Sequence, residues 1–106
     1  MITYEDFIKT ELKIATVLFA ERVEGSEKLL KLHIDVGSEK RQLIAGVGKS
    51  YEPEALVGRQ IVVVANLAPR MLMSHESNGM LLAADSDTGP VLLMPEKAVE
   101  PGAKIK

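Results

Sequence analysis

The sequence predicts an all-β protein, a small barrel of five strands with two short helices. Three observations favour this fold class. Residues 30–36 alternate between apolar and polar side chains, as a half-buried strand does. Residues 61–67 form a nearly continuous β-branched run, which is typical of a strand buried on both faces. Between these two segments, Pro53 and Gly58 bracket a short helical stretch.

The N-terminal half is predicted to contain one short helix and three strands. Thr3 is a suitable cap for a helix that ends near Ile8, because Asp6 lies three residues further on. Residues 12–23 form a long strand with apolar side chains on both faces, the pattern of a bent strand that serves two sides of a barrel. The elements that follow are a turn at 24–26, a strand at 30–36, a turn at 37–40 and a strand at 42–47.

The C-terminal half is predicted to complete the barrel. Its elements are a helix at 53–57, strands at 61–67, 80–84 and 91–94, a hairpin connection at 85–90 and a tail that turns at 101–102. This order is that of an OB-fold, a five-stranded Greek-key barrel with short helices at the N-terminus and between strands three and four. The last hairpin is a C-terminal extension, and residues 1–106 form a single domain. An SH3-like barrel is the main alternative, and the helix at 53–57 counts against it.

Composition excludes several classes of protein. The chain has no cysteine, which excludes a disulfide framework, a thiolate zinc site and a cysteine nucleophile. No apolar run approaches the roughly 18 residues that a membrane span needs, and the N-terminus has no secretory signal. We therefore expect a soluble cytoplasmic protein with no membrane partner.

No residue pattern indicates catalysis. His33 and His75 lack a partner at metal-ligand spacing, and Ser77 lies outside a Gly-x-Ser-x-Gly motif. Gly46 and Gly48 are too close together for a phosphate-binding loop, so a backbone requirement explains them better. We expect a binding protein without enzymatic activity, metal or cofactor.

The charge distribution is uneven. The net charge is −2, yet residues 28–70 contain seven basic and four acidic residues and carry +3, which leaves −5 for the remainder. This distribution is consistent with a basic face on an acidic molecule, or with ordinary solvated charges. Residues 66–84 add a polar, glycine-bearing loop with one arginine, Arg70, between two hydrophobic strands, where a small barrel exposes ligand contacts.

Almost the whole chain resembles one family, and six stretches carry the strongest resemblance. They are ITYEDF (2–7), AERVEGSEKLLKL (20–32), KRQLIAG (40–46), YEPEALVG (51–58), and VANL (64–67) together with ESNGM (76–80). These motifs are similar to those of the tRNA-binding domain family. Its members include the C-terminal domain of bacterial methionyl-tRNA synthetase, stand-alone tRNA-binding proteins and the C-terminal domain of the endothelial monocyte-activating polypeptide II precursor.

The resemblance implies an OB-fold, a homodimer, and recognition of tRNA by its shape near the outer corner. It implies no enzymatic activity of the domain itself. In the family, the dimer is built from the N-terminal helix and from C-terminal additions to the barrel. The corresponding residues here are Tyr4, Phe7, Ile8, Val91 and Leu93.

The same resemblance suggests which side chains bind tRNA. Shape-selective RNA binding relies on phosphate and 2′-hydroxyl contacts more than on base reading. The candidates for phosphate contacts are Lys28, Lys31, Lys49, Arg59 and Arg70. The candidates for hydrogen bonds to sugar or backbone are Asn66, Ser77 and Asn78, and Met80 is a candidate for packing against a base or ribose, or for the core.

The chain departs from the family in one loop. The family sequence Lys-Pro-Arg-Lys is replaced by Ala68-Pro69-Arg70-Met71, which removes two basic residues. Two alternatives therefore stay open beside tRNA binding. One is a secretion-related protein chaperone of the same fold family, which would use Met71 and Met73 as an apolar surface for unfolded chains. The other is a dimerisation domain that has lost RNA binding.

Overall fold

In the computed structural model, which describes residues 1–106, short strands form a bent antiparallel sheet with two single-turn helices. The elements, in chain order, are α1 (Tyr4–Phe7), β1 (Leu12–Arg22), β2 (Leu30–Asp35), β3 (Lys40–Ala45), α2 (Pro53–Leu56), β4 (Gln60–Val64), β5 (Arg70–Leu72), β6 (His75–Ser77), β7 (Met80–Leu81), β8 (Ala83–Ser86), β9 (Gly89–Leu92) and β10 (Lys104–Ile105).

The long strand β1 organises the barrel, as its two-sided apolar pattern predicts. Its first five residues pair with β4, its second half pairs with β2, and its first two residues also pair with β10. A bulge between Val17 and Phe19 bends the strand between these partners. The bend lets one strand contribute to both halves of the sheet.

The sheet closes on itself through hydrogen bonds to β3. The strand order is β3-β2-β1-β4-β7, which leaves β3 and β7 as the two ends of the path. The backbone N–H of Asn78 donates to the carbonyl of Gln42 at 2.9 Å, and the N–H of Ile44 donates to the Ser77 hydroxyl at 3.0 Å. The result is a nearly closed five-stranded barrel, and the predicted OB-like fold is confirmed.

The core lies inside this barrel and under α2. Leu30, Leu32 and Ile34 point inward from β2 and are fully buried, which confirms the predicted alternation of that strand. Leu56 of α2 is also fully buried and covers one end of the barrel. Thr3 caps α1 with the predicted capping box to Asp6.

The structure differs from the sequence prediction mainly between residues 65 and 86. The predicted loop contains a small hairpin, β5–β6, whose turn residues Met73 and Ser74 have φ of 47° and 68°. Such turns usually carry Asn-Gly or a similar pair, so Met-Ser gives no turn signal. The predicted strand at 61–67 ends at Val64. The predicted strand at 80–84 divides into β7 and β8, because the chain changes its partner from β4 to β9.

Smaller differences affect other boundaries. Strand β3 begins at Lys40, two residues before the predicted start. The hairpin β8–β9 turns tightly at residues 87–88, within the predicted connection. The tail contains the unpredicted strand β10. None of the helices has the length and hydrophobicity that crossing a bilayer requires.

Candidate nucleic-acid interface

Two arginines are used to hold the barrel together. The Arg22 guanidinium donates to the carbonyl of Gly48 at 2.9 Å and lies 3.2 Å from the Glu52 carboxylate. The Arg41 guanidinium lies 2.6 Å from the Glu39 carboxylate and also donates to a backbone carbonyl in the loop after β4. Because several of their donors are engaged within the protein, both side chains are less available to an external anion than a basic side chain without partners.

The predicted phosphate-binding residues, unlike these two arginines, form no ion pair. The three ion pairs of the chain involve Lys9, Arg22 and Arg41. None of the five predicted basic residues takes part in one. Their positive charges are therefore uncompensated by a contacting carboxylate. These residues are Lys28, Lys31, Lys49, Arg59 and Arg70.

Three predicted residues come together around one open groove. Lys28, Arg70 and Met80 line a groove of about 340 Å³, which also includes Ile44 and Leu72. We call it the β3–β5 groove. Met80 is 50% exposed, so its side chain lies at the surface of the groove rather than in the core. The groove combines an apolar floor with two cations.

Two glycines place Lys28 at the edge of this groove. A Cβ at Gly46 would lie 3.0 Å from Cε of Lys28, so the lysine stem rests against the bare backbone of that residue. The N–H of Gly48 donates to the carbonyl of Lys28 at 2.7 Å, and a Cβ at Gly48 would lie 2.7 Å from the carbonyl oxygen of Glu27. The backbone requirement that the sequence suggests for these glycines is this close approach.

The β5–β6 hairpin places Arg70 on the groove side. Arg70 pairs with Ser77, whereas Met71 pairs with Glu76. Paired residues of an antiparallel ladder point to the same face, and neighbours along a strand point to opposite faces. Ser77 bonds to Ile44, so its face is turned toward β3. Arg70 therefore faces the groove, and the carboxylate of Glu76 faces away from it.

Residues 12–104 match the family model described as "Putative tRNA binding domain". The chain belongs to this family. Methionine–tRNA ligase of Thermotoga maritima is 56% identical over 104 residues, which cover 98% of this chain and 16% of the enzyme. The chain thus spans about a sixth of the length of the curated relatives that it matches.

Two solved structures share both fold and length with this member of the tRNA-binding domain family. A MetRS related protein from Pyrococcus horikoshii has a TM-score of 0.94 at 32% identity, covering 100% of this chain and 98% of the other. The chaperone CsaA from Bacillus anthracis has a TM-score of 0.91 at 35% identity, covering 100% and 99%. The resemblance identified from the sequence motifs is confirmed.

Two of the polar residues predicted to bind tRNA are engaged inside this family member. Ser77 is 4% exposed; its hydroxyl accepts from the N–H of Ile44 and donates to the carbonyl of Gly79 at 3.1 Å. The amide of Asn66 accepts from the N–H of Glu11 at 2.8 Å and donates to the carbonyl of Lys9 at 2.6 Å, just after α1. These contacts close the barrel and fix the N-terminal segment. Asn78 is half-buried beside them.

The other predicted basic residues lie at different distances from the groove. Lys31 pairs with Ile44 across β2 and β3, so it shares the outer face with a groove residue. Lys49 is exposed directly after Gly48. Arg59 lies apart from them, in a separate surface depression that also contains Lys97.

The predicted dimer residues are apolar and accessible. Tyr4, Phe7 and Ile8 of the α1 segment border a depression of about 110 Å³ against Ile105 of β10. Val91 and Leu93 are more than two-fifths exposed near the C-terminal hairpin.

Two residues on the floor of the β3–β5 groove were not predicted from the sequence. Ile44 and Leu72 are ordinary apolar residues in the sequence, and only the register of β3 and the hairpin turn bring them together. The doublet of glycines at 46 and 48 is the one signal that indicates this location.

Proposed function

We propose that the chain is a structure-specific, sequence-tolerant tRNA-binding module that acts as a homodimer in the cytoplasm. It works either as a free-standing protein or as the C-terminal domain of a methionyl-tRNA synthetase. The observation that carries the proposal is the β3–β5 groove, where Lys28 and Arg70 form no ion pair and no carboxylate lines the surface.

The free cations explain how an acidic protein binds RNA. A lysine or arginine that contacts a phosphate releases condensed counterions, and this release drives binding whatever the base sequence. Lys31 and Lys49 extend the cationic surface beyond the groove, while the acidic residues that lower the net charge lie largely outside residues 28–70. Local charge, rather than net charge, then determines binding.

The groove also favours recognition of shape over sequence. It contains no aromatic ring on which a run of bases would stack. Phe19 lies 5.7 Å from the ring of His33, on the face formed by β1 and β2. Without stacking platforms, affinity depends on where the phosphates of a folded RNA lie relative to the cations.

Dimerisation would strengthen a weak individual site. Two linked grooves that contact the same tRNA act at a high effective concentration, which raises affinity without any new type of contact. The exposed apolar residues at α1 and at the C-terminal hairpin, including Tyr4 and Val91, supply the surface for this association. The domain itself needs no catalytic residues, since in a synthetase the aminoacylation reaction takes place elsewhere in the chain.

Electrophoretic mobility shifts test the tRNA-binding proposal. Unfractionated tRNA is titrated at about 50 and about 200 mM salt, beside a fully paired RNA duplex. We expect binding to many tRNAs, a steep salt dependence and no comparable binding to the duplex. No shift at the lower salt concentration would contradict the proposal and would leave the chaperone or pure dimerisation roles.

Matched variants locate the interface. The double substitution of Lys28→Ala and Arg70→Ala should weaken binding of every tRNA at least about 10-fold. The control pair, Arg59→Ala with Lys97→Ala, removes the same charge from the separate depression. This control pair should lower tRNA affinity by less than about 3-fold. Because Arg59 is among the predicted phosphate contacts, the result also measures how much Arg59 contributes to tRNA affinity.

Sedimentation equilibrium tests the homodimer. The unmodified chain should sediment as a dimer, and Ile8→Ser should shift the equilibrium toward the monomer. Val57→Ser, on a different exposed apolar surface, should not. A monomeric wild-type chain at high micromolar concentration would exclude the dimer.

A protein chaperone is the second candidate, favoured by the similarity to CsaA and by two exposed methionines of the β5–β6 hairpin. Met71 is 62% exposed and Met73 is 52% exposed. Flexible methionines suit a surface that accommodates different apolar segments. Under this alternative, Met71→Ser should reduce the suppression of aggregation of an unfolding protein while tRNA binding is unchanged.

A further inference from the structure

The β3–β5 groove has a chemistry more specific than that of a cationic surface. Its floor is formed by Ile44, Leu72 and Met80, and its charged rim is formed by Lys28 and Arg70. None of the lining side chains is a carboxylate, an amide or a hydroxyl. Its volume of about 340 Å³ is at the lower end of the range of about 300–1,000 Å³ for small-molecule sites.

The fold keeps negative charge out of this groove. Glu76 is the acidic residue of the β5–β6 hairpin, and it points to the face opposite Arg70. The Glu39 carboxylate is paired with Arg41, and the Glu52 carboxylate with Arg22. The positive potential of the two rim cations is therefore not cancelled by a contacting acid.

We propose that the β3–β5 groove binds a single unstacked nucleotide. The base lies against the aliphatic and thioether side chains of the floor, and its phosphate lies between Lys28 and Arg70. The inference rests on the proposed RNA-binding function and adds the ligand to it: a nucleotide that is unpaired in the bound RNA, rather than backbone phosphates alone.

The composition of the groove favours a nucleotide over a peptide. Two cations without a carboxylate suit a phosphodiester, which carries a full negative charge and offers only acceptor oxygens, whereas a segment within a peptide chain carries no backbone charge and has N–H donors that need acceptors. In this arrangement Lys28 and Arg70 bind the phosphate, and no other lining side chain carries a hydrogen-bonding group, so the edge of the base is not read by side-chain hydrogen bonds. The four bases should therefore bind similarly, with the purines tighter because they cover more of the floor.

Titration of the ¹⁵N-labelled 106-residue chain with small probes tests this inference. The probes are adenosine 5′-monophosphate, ribose 5-phosphate and inorganic phosphate. We expect saturable millimolar binding of the nucleotide, with amide shifts at residues 44–46 and 80–81, and at least 5-fold weaker binding of ribose 5-phosphate. Equal affinities for the three probes, shifts elsewhere or no saturable shift would overturn the inference.

Two methionines on the same segment provide a matched pair of variants. Met80 lies in the groove, and Met71 lies on the opposite face of the hairpin with a comparable exposure of 62%. Met80→Ser should weaken the nucleotide at least 5-fold and leave ribose 5-phosphate unchanged, whereas Met71→Ser should change neither. The wild-type comparison of probes stands even if Met80→Ser fails to fold.

The outcomes separate this inference from the proposed function. Binding of tRNA without preference for the nucleotide over ribose 5-phosphate would overturn the inference and retain the function. Failure of the chain to bind tRNA would overturn both. If an apolar peptide shifts the groove amides and the nucleotide does not, the groove is a peptide site.

Discussion

The barrel carries two shallow grooves of similar size but opposite charge. The β3–β5 groove holds about 340 Å³ and the free cations Lys28 and Arg70. The second groove, between β1 and α2, holds about 440 Å³, and its acids are Glu21 and Glu54. Its one arginine, Arg22, donates to the carbonyl of Gly48 and forms an ion pair with Glu52. If RNA bound at the larger groove, it would bind at the second one. The sign of the charges, and the absence of ion pairs at Lys28 and Arg70, favour the first.

Both grooves have apolar surfaces, so hydrophobicity does not separate them either. Phe19 and Val57 are each about half exposed in the β1–α2 groove, much as Met80 is in the β3–β5 groove. A phosphate approaching Glu21 or Glu54 is repelled, whereas one approaching Lys28 is attracted. An anion-binding surface is therefore recognised by basic residues that form no contacts needed by the fold itself.

Charge reversal should separate the two grooves most strongly. Exchanging both rim cations, by Lys28→Glu with Arg70→Glu, should weaken tRNA binding at least about 100-fold, because attraction to phosphate becomes repulsion. Reversing Glu21→Lys with Glu54→Lys in the other groove should not weaken binding. Filter binding at low salt measures both. Similar losses in the two double variants would show that the β3–β5 groove is not the interface.

Loss of the Ser77 hydroxyl should weaken the contact between β3 and β6, which forms part of the β3–β5 groove. Ser77→Ala leaves the N–H of Ile44 without its partner in a buried position, which costs about 1–3 kcal/mol. Urea unfolding should show this loss, and Ser38→Ala, at an exposed turn position, should unfold like the wild type. A stable Ser77→Ala variant with weakened tRNA binding would instead indicate direct contact with RNA.

Two arginines should respond to substitution in opposite ways. Arg22→Ala removes hydrogen bonds within the protein and should lower the free energy of unfolding by about 1 kcal/mol. Its effect on the salt dependence of tRNA binding should be negligible. Arg70→Ala should leave stability unchanged and reduce the slope of log K against log salt by about 1. The reverse assignment of these effects would contradict the distinction between engaged and free arginines.

Neutralising the acidic groove should have the smallest effect. Glu21→Gln with Glu54→Gln should raise tRNA affinity by less than about 3-fold at low salt, since these charges act only at a distance. The increase should disappear at about 200 mM salt, where the Debye length is about 7 Å. A large increase that persists at this salt concentration would mean that RNA passes directly over the β1–α2 groove.

Much of the fold could be predicted from local sequence patterns. The alternation of residues 30–36, the Thr3 capping box and the Pro53–Gly58 bracket each identify an element without knowledge of its partners. The β5–β6 hairpin could not be predicted, because Met73 and Ser74 adopt left-handed conformations in its turn and these residue types rarely do so. Hydrogen bonds from residues of β3 to Glu76 and Ser77 hold this hairpin against the barrel, and such long-range contacts leave no local pattern in the sequence.

The candidate site could be predicted only in part. A sequence shows which residues are basic but not whether they form hydrogen bonds or ion pairs within the fold. Arg22 and Arg41 cannot be distinguished from Arg70 until their partners are known. Ser77 and Asn66 are polar residues of a predicted binding loop, and the structure uses both to join backbone segments distant in sequence. Such long-range contacts have no local signature.

Amide chemical shifts of the ¹⁵N-labelled chain, measured as tRNA is added, show directly whether the β3–β5 groove is the RNA-binding surface. We expect shifts and line broadening to concentrate at residues 28–31, 44–46 and 70–81, while residues 19–22 and 53–57 of the acidic groove stay unchanged. Perturbations centred on the acidic groove, or none at all with tRNA in excess, would contradict this expectation.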